Sequence, residues 1–185
     1  MKLNIATLLT LSRIVVIPVI VFLFIYDNGR YRDISAYIFL LALITDYLDG
    51  YVARNFNQTT SFGTFLDPIA DKLLVVIAIF LLTRSFDSLI FILSSLIIIS
   101  REFLVIAIRQ RLAELKTQIP LRVNNIGKIK TGFQMSALFF LLHTDITFIY
   151  INLHILGLLL LFIAAILTVI SFIYYVRNAW SDILG

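Results

Sequence analysis

The chain has 185 residues, of which 61% are hydrophobic and only 14% are charged, and its mean hydropathy is +1.00. This apolar share lies well above the roughly 45–50% of soluble domains, so a soluble globular protein is excluded and a single membrane-embedded domain over residues 1–185 is expected. The absence of cysteine excludes disulfides and thiolate metal sites, and two histidines are too few for a zinc site. Any metal must therefore be held by oxygen, which favours Mg²⁺ or Mn²⁺. The net charge of +4 is expected to flank membrane spans, because no basic stripe with interleaved aromatics indicates nucleic-acid binding.

Six apolar stretches are candidates for membrane spans, each of which needs about 20 mostly apolar residues. In chain order they cover residues 6–26, 34–53, 68–83, 88–108, 129–142 and 149–176. The first is predicted to be a retained span, because no small-residue cleavage site follows it. If the N-terminus lies inside, the only basic residues of the outer segments are Arg30, Arg32 and Arg84, and the inner segments carry more. This bias places both termini in the cytoplasm.

Four carboxylates lie close together in the sequence between the second and third predicted spans. Asp46 and Asp49 are spaced i, i+3 at the end of the second, and Asp67 and Asp71 are spaced i, i+4 at the start of the third. Each pair faces one way on its helix, and the turn between them brings the two helix ends together. Four negative charges in a low-dielectric pocket stay ionised together only with cations, and two divalent ions are the simplest solution.

Two other interpretations of these carboxylates remain open. They could be interfacial charges in solvent, or they could form the acidic filter of a divalent-cation transporter. A filter has no need for the glycine, alanine and arginine that are interleaved with the aspartates. Magnesium flux into liposomes would distinguish a transporter from an enzyme.

The same segment, DYLDGYVARNFNQTTSFGTFLDPIAD, resembles the signature of the CDP-alcohol phosphotransferase family, D-x2-D-G-x2-A-R-x8-G-x3-D-x3-D. The matching positions are Asp46, Asp49, Gly50, Ala53, Arg54, Gly63, Asp67 and Asp71.

The resemblance implies an all-α polytopic membrane enzyme with six transmembrane helices and a polar cavity that faces the cytoplasm. It further implies that Asp46, Asp49 and Asp67 hold a two-metal centre of Mg²⁺ or Mn²⁺. Asp71 is then the general base and a further metal ligand. A homodimer is also implied.

The remaining motif positions are assigned by the resemblance to the cytidine nucleotide of CDP-diacylglycerol. Gly50 and Ala53 would let the nucleotide approach the second helix without an intervening side chain. Arg54 would either pair with the nucleotide phosphates or brace the aspartates. Gly63 would admit the nucleotide or permit the turn.

A phosphorylated acceptor needs basic residues near the site. The stretches SREFLVIAIRQR and GKIKTGFQ and the opening NIATLLTLSRIVVIP resemble the branch of the family whose acceptor is glycerol 3-phosphate. Candidate ligands of the acceptor phosphate are Arg13, Arg101, Arg109, Lys128 and Lys130.

Structural interpretations compete with these assignments. Arg109 and Lys128 could equally be basic anchors at the inner membrane surface. Arg13 lies two turns into the first span and needs a partner there, which could be the acidic pocket or a substrate phosphate. Adjacent residues on a helix point about 100° apart, so no ion pair is expected between Arg101 and Glu102.

The predicted function is therefore transfer of the phosphatidyl group of CDP-diacylglycerol to glycerol 3-phosphate, which gives phosphatidylglycerophosphate and CMP. The predicted location is the inner (cytoplasmic) membrane, with the active site facing the cytoplasm and the membrane lipids as further partners. Inositol phosphate, glycerol, phosphatidylglycerol (as in cardiolipin synthesis) and serine are the alternative acceptors.

Overall fold

The computed structural model describes residues 5–26, 30–55, 61–114, 125–144, 147–148 and 151–183. Side chains are described for residues 11–26, 30–46, 66, 68–112, 114, 127–144 and 152–177. The helices are α1 (Ile5–Ile25), α2 (Arg30–Asn55), α3 (Ser61–Leu82), α4 (Leu89–Glu114), α5 (Asn125–Leu142) and α6 (Leu153–Ile183). The two strands, β1 (Thr147–Phe148) and β2 (Ile151–Asn152), have two residues each and pair antiparallel. The predicted all-α class is confirmed.

Several helices begin or end away from the predicted spans. α3 begins at Ser61 and runs through Pro68, where the third span was predicted to begin, and α2 continues to Asn55. Asp67 and Asp71 therefore lie within α3 and not at its start, which corrects the prediction, whereas Asp46 and Asp49 lie towards the C-terminal end of α2 as predicted. Hydropathy falls at the first polar residue, whereas a helix continues as long as its backbone hydrogen bonds are made. α6 begins later than predicted, because β1 and β2 precede it.

Two helical segments among the described residues are long and apolar enough to cross a membrane, Leu89–Leu112 and Leu153–Arg177. The apolar part of α1, Leu11–Ile25, is shorter. The prediction of six spans thus remains a prediction.

The chain divides into two compact units. Unit 1 comprises residues 1–85 and 138–157, and unit 2 comprises residues 86–137 and 158–185. In unit 1, α1 packs against α2 and α3. The buried apolar residues recur every three or four positions, as expected for helices with one core-facing stripe. They include Ile17, Ile20 and Phe24 in α1, Phe39 and Ala42 in α2, and Ala70, Leu74 and Ala78 in α3.

Asp33, at the start of α2, ties this helix to the chain that follows α5. One carboxylate oxygen accepts hydrogen bonds from the backbone N–H and the hydroxyl of Thr144, both at 2.8 Å. His143 Nδ1 lies 2.9 Å from the same oxygen and donates to it, because an ionised carboxylate can only accept. Nε2 of His154, in α6, donates to the backbone carbonyl of His143 at 2.8 Å. Two histidines are too few for a zinc site, and the structure shows that both instead join segments of unit 1.

The pKa of Asp33 is lowered from its ordinary value of 3.8. Burial acts to raise this pKa, but the hydrogen bonds from Thr144 and His143 favour the ionised form and outweigh it. A carboxyl group with a lowered pKa stabilises the fold fully above its unfolded pKa, and this contribution is lost as the pH falls through the folded pKa.

We expect Asp33→Ala to lower the free energy of unfolding by about 2 kcal/mol at neutral pH, because the buried donor of His143 and the part-buried donors of Thr144 lose their acceptor. The measurement is thermal unfolding in detergent across a pH series. The gap between wild type and variant should shrink below pH 3.8. Asp87 is exposed, so Asp87→Ala is the matched control and should change stability by less than about 0.5 kcal/mol. A gap that stays constant at all pH values would contradict a role for the ionised carboxylate.

Candidate active site

Arg13 joins two aspartates of the acidic motif, and the three residues form what we call the acidic cluster. Nη2 of Arg13 lies 2.7 Å from Oδ1 of Asp46, and Nη1 makes an ion pair and a hydrogen bond with Oδ1 of Asp71. Each of the three lies on the continuation of the core-facing stripe of its helix, one turn beyond a buried apolar residue. Of the two partners that the sequence offered for Arg13, the structure shows the acidic one.

In the acidic cluster the arginine is buried, whereas the two aspartates are partly exposed. The side chain of Arg13 is 1% exposed, whereas those of Asp46 and Asp71 are 36% and 40% exposed. The guanidinium can therefore offset the negative charge from within unit 1, while both carboxylates remain partly accessible from outside. Hard divalent ions prefer carboxylate oxygens as ligands. Asp46 on α2 and Asp71 on α3 bring such oxygens together, so this part of the site fits Mg²⁺ or Mn²⁺.

The other residues of the motif lie on the same two helices. Asp49, Gly50, Ala53 and Arg54 belong to α2, and Gly63 and Asp67 belong to α3, but their side chains are outside the described residues. Among the described residues, no group of three or more histidine, aspartate or glutamate side chains could hold a metal ion. The four-aspartate metal centre and the nucleotide contacts thus stay predictions.

A second group of polar residues, here called the basic cluster, lies in unit 2. It consists of Arg101 and Glu102 on α4, Lys130 on α5 and Ser171 on α6. Oε1 of Glu102 accepts from Lys130 Nζ at 2.7 Å and from Arg101 Nη1 at 3.0 Å, and Arg101 Nη2 donates to Ser171 Oγ at 3.0 Å. The expectation that Arg101 and Glu102 would not pair was wrong. Their Cβ atoms point in different directions, but both side chains are long enough for their charged ends to meet.

The other two basic candidates are in different surroundings. Arg109, on α4, and Lys128, on α5, are both exposed, whereas the side chain of Lys130 is only 4% exposed. Lys130 shares the buried face of α5 with Gln134, Ala137 and Leu141. Gln134 and Ala137 follow Lys130 by four and seven residues, so these three side chains lie on one face of α5, and Lys128 lies on another. Exposure alone fits either an anchor or a phosphate ligand, so the roles of Arg109 and Lys128 stay predictions.

Glu102 and Ser171 were not among the site residues expected from the sequence. Glu102 lies within the apolar segment Leu89–Leu112, and a carboxylate in such a segment is itself a signal of a partner or a function. Ser171 follows Leu161, Ala164 and Thr168 on the buried face of α6, a spacing that could have indicated its direction. Its contact with Arg101 joins residues far apart in sequence and could not have been predicted from local spacing.

Comparison with known proteins agrees with the acidic motif. Residues 3–170 match the family model of CDP-alcohol phosphatidyltransferase. A relative from Wigglesworthia glossinidia brevipalpis is 43% identical over 99% of this chain and 98% of its own length. Relatives from Salmonella choleraesuis and Shigella flexneri are 42% identical over 100% of this chain and 99% of theirs. All three are named CDP-diacylglycerol–glycerol-3-phosphate 3-phosphatidyltransferase. The chain belongs to the CDP-alcohol phosphatidyltransferase family and is a membrane transferase.

Proposed function

We propose that the protein transfers the phosphatidyl group of CDP-diacylglycerol to glycerol 3-phosphate, which yields phosphatidylglycerophosphate and CMP. The observation that carries the proposal is the convergence of Asp46 and Asp71, two fixed positions of the family motif, on one buried guanidinium. The choice of acceptor is supported by relatives named for glycerol 3-phosphate that match this chain from end to end.

Asp46, Asp49, Asp67 and Asp71 would together hold two Mg²⁺ or Mn²⁺ ions. When bound, such ions offset negative charge on the pyrophosphate and on the departing CMP. In the proposed mechanism, the acceptor hydroxyl attacks the phosphorus that carries diacylglycerol, and Asp71 accepts the hydroxyl proton. The phosphoanhydride bond to CMP breaks as the new ester bond forms. Arg13 pairs with both Asp46 and Asp71, whose side chains are more than a third exposed.

The nucleotide is proposed to lie against the motif residues of α2 and α3. Gly50, Ala53 and Gly63 lack large side chains, so they permit a close approach of the cytidine. Arg54 is proposed to pair with the nucleotide phosphates or to brace the aspartates.

The basic cluster is proposed to bind the acceptor phosphate. Arg101 and Lys130 share the single carboxylate of Glu102, so these three side chains carry one net positive charge within unit 2. Arg109 and Lys128 are proposed as exposed contributors. The proposed contact of Arg13 with the same phosphate stays a prediction, and Asp46 and Asp71 are two of its observed partners.

We propose further that residues 1–185 form one domain with six spans in the inner membrane. Both termini and the active site would face the cytoplasm, as the loop charges favour. The lipid tails would enter from the bilayer and glycerol 3-phosphate from the cytoplasm. A homodimer is proposed from the family resemblance.

The test is CMP release by purified protein supplied with CDP-diacylglycerol, Mg²⁺ or Mn²⁺ and a panel of acceptors. Glycerol 3-phosphate should react faster than serine or glycerol by about a hundredfold, which corresponds to roughly 3 kcal/mol of charge-assisted contacts to the phosphate. The panel also contains inositol phosphate and phosphatidylglycerol. Activity with serine but none with glycerol 3-phosphate would refute the acceptor assignment. Magnesium flux into liposomes without CMP release would indicate a transporter.

A further inference from the structure

One carboxylate oxygen holds two cations in the basic cluster. Oε1 of Glu102 lies 2.7 Å from Lys130 Nζ and 3.0 Å from Arg101 Nη1. The two cations come from different helices, α4 and α5, and the Lys130 side chain is 4% exposed. Without a negative charge between them, two cations in these surroundings would repel each other. Glu102 therefore keeps Arg101 and Lys130 side by side.

Ser171 provides a second point of attachment for Arg101. Its hydroxyl, on α6, accepts from Nη2 of Arg101 at 3.0 Å, while Nη1 donates to Glu102. A guanidinium group is planar and rigid, so two contacts at different nitrogens define the orientation of its plane. Ser171 thus fixes which donors of Arg101 remain for a ligand.

Donor capacity remains in the basic cluster after these contacts. Nε of Arg101 is buried and has no hydrogen-bond partner among the described residues. A guanidinium has five N–H donors in a fixed arrangement that matches phosphate oxygens. Arg101 and Glu102 lie on the apolar segment Leu89–Leu112, and Lys130 joins them from α5. Two cations with one carboxylate in such apolar surroundings are suited to an anion.

We infer that Glu102 and Ser171 are positioning residues for the acceptor phosphate. Glu102 sets the spacing of Arg101 and Lys130, and Ser171 sets the orientation of the Arg101 guanidinium. This inference rests on the proposed function, since it identifies the phosphate of glycerol 3-phosphate as the anion that the basic cluster binds. Neither residue contacts the reacting atoms in this scheme.

Glu102→Gln separates positioning from simple charge, because the two predict opposite signs. If Glu102 only weakened the attraction for an anion, its neutralisation would lower the KM for glycerol 3-phosphate. If Glu102 holds the two cations in place, the KM should rise by about tenfold, as expected for loss of a charge-assisted hydrogen bond. The KM for CDP-diacylglycerol should stay within about twofold of wild type, because that substrate is assigned to the acidic motif.

Ser171 offers a change that leaves the charge untouched. Ser171→Ala should raise the KM for glycerol 3-phosphate about fivefold, and Ser171→Thr should restore it, because the hydroxyl returns. Thr168→Val is the matched control. It removes a buried hydroxyl one turn earlier on α6 whose observed contact is the carbonyl of Ala164, so the KM should not change. Inorganic phosphate, as a competitor of glycerol 3-phosphate, should show the same pattern in its inhibition constant.

The positioning roles of Glu102 and Ser171 are tested by steady-state kinetics in detergent, with the concentrations of both substrates varied. Higher KM values for glycerol 3-phosphate in Glu102→Gln and Ser171→Ala, with threonine rescue, would support the inference. An unchanged or lower KM in an active Ser171→Ala enzyme would overturn it and leave the proposed function intact. Equal changes in both KM values would show a folding role and would also overturn it. A wild-type enzyme that does not use glycerol 3-phosphate would refute the proposed function itself, and the inference with it.

Discussion

Asp71→Asn is expected to lower the turnover rate for CMP release by about a thousandfold, the usual contribution of a general base. Asparagine keeps the shape of the side chain but cannot accept the proton of the attacking hydroxyl. Asp46 retains its contact with Arg13 in this variant, so the attachment of α1 to α2 should survive. Binding of CDP-diacylglycerol should be largely retained, and it can be measured by calorimetry in detergent without the acceptor.

The control for this experiment is the same chemical change at an exposed position. Asp87→Asn should keep the rate within about twofold, because its side chain lies on the surface between α3 and α4. A near-normal rate in Asp71→Asn would show that another group accepts the proton. Loss of CDP-diacylglycerol binding in the same variant would instead indicate that the main role of Asp71 is in metal or nucleotide binding.

Arg13→Met is expected to lower the free energy of unfolding by about 3 kcal/mol in detergent without divalent ions. Methionine fills part of the buried volume, but Asp46 and Asp71 lose the guanidinium that offsets their charge. The estimate lies at the lower end of the range for a broken buried ion pair, because both carboxylates are more than a third exposed. The measurement is the thermal unfolding midpoint together with chemical denaturation.

Added Mg²⁺ provides an independent readout for the same variant. If the carboxylates bind divalent ions, Mg²⁺ should stabilise Arg13→Met more than wild type, because the ions replace the missing charge. Arg84→Met, at an exposed position after α3, is the matched control and should change stability by less than about 0.5 kcal/mol. Equal stability of the two variants would contradict the role assigned to Arg13.

The spacing of the acidic motif was sufficient to predict the family. Fixed intervals between Asp46, Asp49, Asp67 and Asp71 are a property of the chain itself, and the match to the family model agrees with them. The all-α class was implied by the family resemblance, and the helices of the structure agree with it. The extents of the helices did not follow from the sequence, because the polar residues at the start of α3 continue a helix that hydropathy does not detect.

The sequence by itself determined which residues share a helix face, so it could place Asp46 with Asp49 and Asp67 with Asp71. Only the tertiary structure decided that Arg13 pairs with both aspartates, that Glu102 holds Arg101 and Lys130, and that Ser171 contacts Arg101. Helical periodicity is local and follows from the order of residues. Contacts between helices depend on how the stripes pack and on where long, flexible side chains find a partner.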